Sequence, residues 1–407
     1  MMETTTSLAA VAALEAQHVL QTYTRQPVVF VRGDGTALFD GEGRRYLDFV
    51  SGIGVVALGH GHPGLAGVVA DQARTLIQTS NLYYHPLQGQ VAARLAALSG
   101  LPRAFFSNSG AEAVEATLKF ARRYWFSQGI TSRTRFVALD HAFSGRTLGA
   151  LSVTATRSYR EPFEPLIPGV TFVAPGDVAA LEAAVDDQTA AIIVEPIQGE
   201  GGVRPLSPAY AAAIERVCEA TGALLIADEV QCGLGRTGHP FYFQALGLTP
   251  DLVSVGKALG SGVPVGAALV SGAVAAQIAP GDHGSTYGGN LLAMRAADYV
   301  LTTLVDGGLM THVQHVGRVF ETALTRLAAA HPIVAEVRGA GVMRGLELTV
   351  DAASVVDRAR ERGLLVNRTA GRVVRLLPPL TVSEAEIAEA VAVLDGVLAD
   401  RAAEDTK

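Results

Sequence analysis

One pattern recurs along the chain and limits its fold more than any other. The runs "RAFF" before Ser107, "RFVAL" before Asp140, "AAIIV" before Glu195, "ALLIA" before Asp228 and "DLVSV" before Gly256 are short and apolar, and each stops abruptly. Amphipathic helical patterns, such as 109–126 and 207–221, alternate with them. A strand that is apolar along its whole length must be covered on both faces, and helices on either side of a mostly parallel sheet supply that cover. The pattern therefore predicts an α/β fold. Ligands in such folds sit beyond the carboxyl ends of the strands. Ser109, Asp140, Glu195, Asp228 and Lys257 fall there.

At 407 residues the chain exceeds what one core usually holds, so two domains are expected. The tail changes character near residue 315. It reads as a helix ("HVGRVFETALTRLAAAH"), short strands ("GVMRGLEL", "GLLVN", "VVRLLPP") and a closing helix opened by the capping box Ser383 to Glu386. We expect residues 61–314 to form the large domain. Residues 315–407, joined by 1–60, should form a small α+β domain. The apolar share of 49% and charged share of 17% suit a large core. A net charge of −7 carries no basic footprint for nucleic acid. No run approaches the ~18 apolar residues of a membrane helix. The start "MMETTTSLAAVAALEAQHVL" lacks the basic segment of a secretory signal, and two cysteines make no disulfide framework. A cytoplasmic enzyme acting on small molecules is the expectation, with neither a nucleic-acid nor a membrane partner.

Of 32 basic residues only three are lysines: Lys119, Lys257 and Lys407. Lys119 sits among other charges in a helical pattern and reads as a solvated face. Lys407 is the last residue and is expected to fray. Lys257 follows a strand buried on both faces, where an unpaired cation is costly. A desolvated lysine of lowered pKa is a nucleophile that forms Schiff bases, and a buried salt bridge is the alternative.

Two neighbours sharpen that reading. In "SNSGAEAVEA", Ser109 and Glu112 form a capping box at a helix start, and Gly110 permits close approach of a ligand. Such a terminus suits a phosphate, although most capping boxes bind nothing. Asp228 emerges from "ALLIA" partly desolvated and needs a cationic partner. A protonated pyridine nitrogen is one. The "GLGRTG" from Gly233 to Gly238 formally matches a dinucleotide fingerprint, but no strand turns directly into a helix there. A Schiff-base lysine, an acid for a ring nitrogen and a phosphate-binding helix start together are what pyridoxal phosphate requires. Phe143, in "DHAFSGRT", is placed to stack on its ring or to fill the core. His60 and His62 in "GHGHP" have no third ligand and read as a turn.

"LLIADEVQCGLGRTG" followed by "DLVSVGKALGSGVPVGA" resembles the signature of the class III aminotransferases, with Asp228 and Lys257 at the spacing that signature has. The similarity continues through "YLDFVSGIGVVALGHGHP", "FFSNSGAEA", "HAFSGRTLGALSVT", "VEPIQGEGGV", "GDHGSTYGGN" and "VVRLLPPL", nearly the whole chain in order. Within the class the acetylornithine branch is the most similar, with ornithine and other ω-aminotransferases close behind.

The resemblance implies fold type I, a homodimer and pyridoxal 5'-phosphate. Lys257 would be the Schiff-base lysine and proton shuttle. Asp228 would pair with the pyridine nitrogen, flanked by Glu229 and Val230, and Gln231 would contact the ring hydroxyl. Ser109, Gly110 and Ala111 would hold the phosphate, and Phe143 would stack. Thr286 would reach the partner subunit's cofactor phosphate, with Ser285 near the substrate. Arg146 would bind the carboxylate at the far end of an ω-amino acid, beside Tyr23. Arg375 would bind the α-carboxylate of glutamate, and Glu200 would pair with Arg375 for the other substrate. One site serving two substrates needs carboxylate forks at two distances, and arginine is the bidentate choice. Ser144, Val56 and Leu291 depart from the usual residues of the class, and Ile53 stands where ornithine enzymes carry tyrosine.

Overall fold

The computed structural model describes residues 7–405, so Glu3 and Lys407 lie outside it. Its centre is a seven-stranded sheet. From one edge the strands are Arg103–Ser107, Gly266–Val270, Leu252–Val255, Leu224–Asp228, Thr189–Val194, Arg135–Leu139 and Val170–Val173. Gly266–Val270 runs antiparallel to both neighbours, and the other pairings are parallel. The five apolar runs are all strands of this sheet.

The period of two along each strand explains the layering. Ile192 and Val194, Leu225 and Ala227, and Val253 and Val255 enter one core. Ala191 and Ile193, Leu224 and Ile226, and Leu252 enter the other. Helix Gly110–Ser127 covers the second face with Val114, Leu118, Phe120 and Trp125. Helices Pro208–Thr221 and Leu291–Val305 cover the first. Helix Gly110–Ser127 also carries Lys119, exposed, its Nζ 2.8 Å from His283 Nδ1.

Two smaller sheets flank this body. Phe30–Asp34, Ala37–Asp40 and Arg45–Asp48 form an antiparallel meander, to which Leu364–Leu365 adds in parallel. Residues of both ends of the chain thus share one sheet. Val334–Ala340, Met343–Leu348, Val373–Leu376 and Asn367–Thr369 make the other. "GLLVN", expected as one strand, is divided between the two sheets at Val366. Helices Leu309–Ala330 and Glu384–Asp405 follow the expected pattern, and Ser383 Oγ caps the N–H of Glu386 at 3.2 Å. His60 Nε2 meets Asp48 at 2.7 Å, and His62 caps helix Pro63–Thr75, so both histidines hold a turn. Among the described residues no helix is long and apolar enough to cross a membrane.

Candidate active site

A cleft of about 890 Å³ opens at the carboxyl edge of the large sheet. Lys257, Phe143, Arg146, Glu200, Tyr23 and Ile53 are among its lining residues. Lys257 follows Val255 and Gly256 with φ 41° and starts a short 3-10 turn, Lys257–Leu259. Ile53 (φ 63°), His141 (φ 67°) and Ala370 (φ 47°) line the same cleft in the left-handed region, where a side chain is strained. Four of the nine non-glycine residues with positive φ among the described residues thus line this one cleft.

The electrostatics follow from burial. Desolvation lowers the Lys257 pKa, opposed mainly by Glu200, with Arg375 adding to the lowering. A larger share of neutral amine is what a nucleophile needs. Asp228 is 3% exposed, and desolvation pushes its carboxyl up to about 6. The Ser144 hydroxyl, the Val230 N–H at 3.2 Å and the Ser254 hydroxyl at 3.2 Å partly offset that. Ser144, a departure from the class pattern, is therefore one of the donors that tune this aspartate. Among the described residues no arginine or lysine makes an ion pair with Asp228. Lys257 acts on it through charge without closing an ion pair.

At the other end of the strand edge, Ser109 Oγ caps the N–H of Glu112 at 3.2 Å, which leaves the amides of Gly110 and Ala111 outside the helix's own ladder. A Cβ at Gly110 would lie 2.5 Å from Val230 Cγ1, so only glycine lets the helix start press against the strand ends here. A buried acid awaiting a cation, a desolvated lysine and a helix start with free amides fit the three ends of pyridoxal phosphate: ring nitrogen, aldehyde and phosphate.

A second constellation faces them. Arg375, on strand Val373–Leu376, is 0% exposed, whereas the side chain of Glu200 is 34% exposed. Arg375 Nη1 donates to Glu200 Oε1 at 2.6 Å and Gln231 Oε1 at 3.1 Å, and Nε donates to Asn367 at 3.2 Å. Arg375 Nη2 has no partner among the described residues. The arginine is enclosed on all sides, whereas the glutamate side chain reaches solvent. Arg146 makes no ion pair among the described residues. Its guanidinium lies 3.5 Å from the centroid of Tyr159 and 5.9 Å from that of Phe143.

Some expected residues stand elsewhere. The Glu229 carboxylate turns away from the cleft, accepting from the Phe243 N–H at 2.6 Å and from Cys232 Sγ at 3.1 Å, and burial raises its pKa to about 7. Ser285 and Thr286 do not line this chain's cleft. Ser285 Oγ accepts from Asn108 and the Thr286 carbonyl from Gln78. His141, in a loop, and Tyr159, on the one-turn helix Arg157–Arg160, also line the cleft, and neither segment is long enough to carry a period. Glu195 directly follows strand Thr189–Val194, and nothing in its local sequence sets it apart from other strand ends. It is 6% exposed, and burial, then the nearby Asp228, raises its pKa to about 8.

The model of the family described as "Aminotransferase class-III" matches residues 19–398. The chain belongs to the class III aminotransferases. It is a pyridoxal-phosphate-dependent transaminase of fold type I. It is 46% identical over 385 residues to an acetylornithine aminotransferase of Gloeobacter violaceus, covering 94% of this chain and 96% of the relative. It is 42% identical over 387 residues to the acetylornithine aminotransferase of Caldanaerobacter subterraneus, covering 95% and 98%. The ornithine aminotransferase structure from Toxoplasma gondii, with partial occupancy of pyridoxal phosphate at its active site, superposes with a TM-score of 0.94 at 33% identity, covering 99% and 97%.

Proposed function

We propose that this class III aminotransferase moves the ω-amino group of N2-acetylornithine to 2-oxoglutarate, giving N-acetylglutamate semialdehyde and glutamate, a step of arginine biosynthesis in the cytoplasm. The observation that carries it is the pair of arginines with opposite arrangements: Arg375 buried and screened by Glu200, Arg146 unpaired on an aromatic face. The acetylornithine aminotransferases at 42% and 46% identity support the choice of donor.

The cofactor, when bound, supplies an electron sink for the carbon that loses its proton. Asp228 holds a proton on the ring nitrogen through charge. Lys257 Nζ, desolvated at the end of the cleft, would hold the aldehyde end of that group and, as a free amine, would serve as the base for the amine-bearing carbon of the donor. The amides of Gly110 and Ala111 bind the phosphate, and Phe143 covers the ring. With acetylornithine, Arg146 receives the carboxylate at the far end while Glu200 keeps Arg375 silent. With glutamate, Glu200 withdraws and Arg375 takes the α-carboxylate.

A homodimer belongs to this reading. Leu82, Tyr83, Tyr84 and Tyr287 are strongly exposed, and the segments bearing them are tied together by Asn81 to the Gly288 carbonyl (2.9 Å) and His85 to the Gly289 carbonyl (2.8 Å). A second copy over this patch would bring Thr286 and Ser285 to the partner's cleft. Residues 61–314 would then be the cofactor-holding domain, and 1–60 with 315–407 the smaller one, an assignment supported by the pairing of Leu47 with Leu364.

A donor panel tests the reading. Each amine is mixed with the holoenzyme, and bleaching of the cofactor's visible absorbance is timed, followed by glutamate formation on adding 2-oxoglutarate. Acetylornithine should be fastest. Equal or faster bleaching by free ornithine or 4-aminobutyrate would move the chain to another ω-aminotransferase.

A further inference from the structure

Glu195 follows strand Thr189–Val194 and is buried. Its Oε1 accepts from the Phe143 N–H at 2.8 Å, and its Oε2 accepts from the Gly199 N–H at 3.1 Å. These two amides belong to different loops, 140–146 and 198–202, which both line the cleft. Gln198, also buried, joins the same loops through its Nε2 and the Asp140 carbonyl at 2.8 Å. Contact between them is close, since a Cβ at Gly201 would lie 2.8 Å from the His141 carbonyl oxygen. Among the described residues no basic side chain makes an ion pair with Glu195. A carboxylate placed for an ion pair would face a cation. This one faces two backbone N–H groups, a geometry suited to fixing main chain.

We propose that Glu195 is a positioning residue that locks the backbone of Phe143 and of Gly199 into one arrangement, so that the ring cover and the Glu200 switch keep a fixed relation across the cleft. The proposal rests on the roles given to Phe143 and Glu200 above and adds what couples them. Both acceptor atoms are needed. The acid keeps an oxygen toward each N–H with or without a proton, whereas glutamine keeps the shape but its NH2 end can only donate, so one of the two N–H groups loses its acceptor.

The test uses the full-length protein, with and without pyridoxal phosphate, in three variants: Glu195→Gln, Glu195→Asp, and Leu181→Ala as a core-destabilised control that does not line the cleft. In Glu195→Gln, amide hydrogen exchange in peptides holding Phe143 and Gly199 should accelerate about tenfold or more, on the scale of one lost buried hydrogen bond. The cofactor's induced circular dichroism should shrink, its dissociation constant should rise about tenfold, and the KM for 2-oxoglutarate should rise more than kcat falls. Leu181→Ala should lower the melting temperature and leave the other readouts in place. If Glu195→Gln does not fold, Glu195→Asp, too short to span both amides, is scored by the same criteria. Unchanged exchange at both loops overturns the proposal. Accelerated exchange with an unchanged cofactor signature overturns it too, leaving a purely structural acid. Phe143→Ala separates the two levels: no change in its cofactor dichroism would sink the reading of Phe143 itself, whatever Glu195 does.

Discussion

The guanidinium of Arg146 stacks on the ring of Tyr159 at 3.5 Å, 13 residues away in sequence, on the short helix Arg157–Arg160. The stack orients the planar donor fork without using any of its N–H groups. An ion pair would have occupied them. A cation–π contact of this kind contributes about 0.5–2 kcal/mol.

Tyr159→Leu should therefore raise the KM for acetylornithine by about 2- to 30-fold, the span of that contact energy, while Tyr159→Phe stays near the parent. Amines with no far-end carboxylate should be indifferent to both changes. Steady-state kinetics on paired donors measure this directly, and a loss shared equally by both donor types would refute the orienting role.

Glu200→Gln should separate the two half-reactions. An amide cannot neutralise Arg375, so the cation stays open to any carboxylate. The acetylornithine half-reaction should slow by about tenfold or more, on the scale of a charge-assisted contact, and the glutamate half-reaction should change little. Single-turnover absorbance traces resolve the two. Arg375→Ala should also weaken the fold, by about 2 kcal/mol or more, because it empties a fully buried site and leaves Gln231 and Asn367 without their donor; urea denaturation reads that loss.

Stability should depend on pH in a direction set by three buried acids. Asp228, Glu229 and Glu195 have folded pKa values raised to about 6, 7 and 8, first by desolvation. Their folded forms hold protons that the unfolded chain releases near its ordinary carboxyl range. That stabilisation is complete below the unfolded values and is lost as pH climbs through 6 to 8. Each group contributes about 1.4 kcal/mol per pH unit within its window. Lys257, with its pKa lowered from 10.5, acts with the opposite sign on the alkaline side. The cofactor-free protein should melt at falling temperature from pH 5.5 to 8.5. Loading the cofactor should flatten the slope, since a ring cation beside Asp228 lowers its pKa. Parallel slopes for the two forms would contradict the pairing of Asp228 with the ring.

Lys257→Ala should keep the fold but hold the cofactor without a covalent bond, so that denaturation in detergent releases all of it, and turnover should drop by about 10² to 10⁴ with the loss of the proton-transferring base. Gly110→Ala probes the phosphate end. The added Cβ, 2.5 Å from Val230 Cγ1, must push the helix start away, and cofactor affinity should fall about tenfold or more by fluorescence titration.

Local pattern was enough to determine five of the seven strands of the large sheet and one half of the site. Five apolar runs had to be strands buried on both faces, and residues directly after such strands had to meet at one edge, which puts Asp228, Lys257 and Ser109 together. The lone lysine was legible because its surroundings were apolar, and desolvation is a local property. The antiparallel strand Gly266–Val270 and the N-terminal meander carried no such mark, since hydrogen bonds between distant segments leave no period in either. Only the tertiary structure decided that Arg375 is fully buried, that Glu229 turns from the cleft to Cys232 and Phe243, and that Glu195 ties two loops. A side chain's partner depends on where the chain returns in space, and one-dimensional order does not encode the direction in which a carboxylate points.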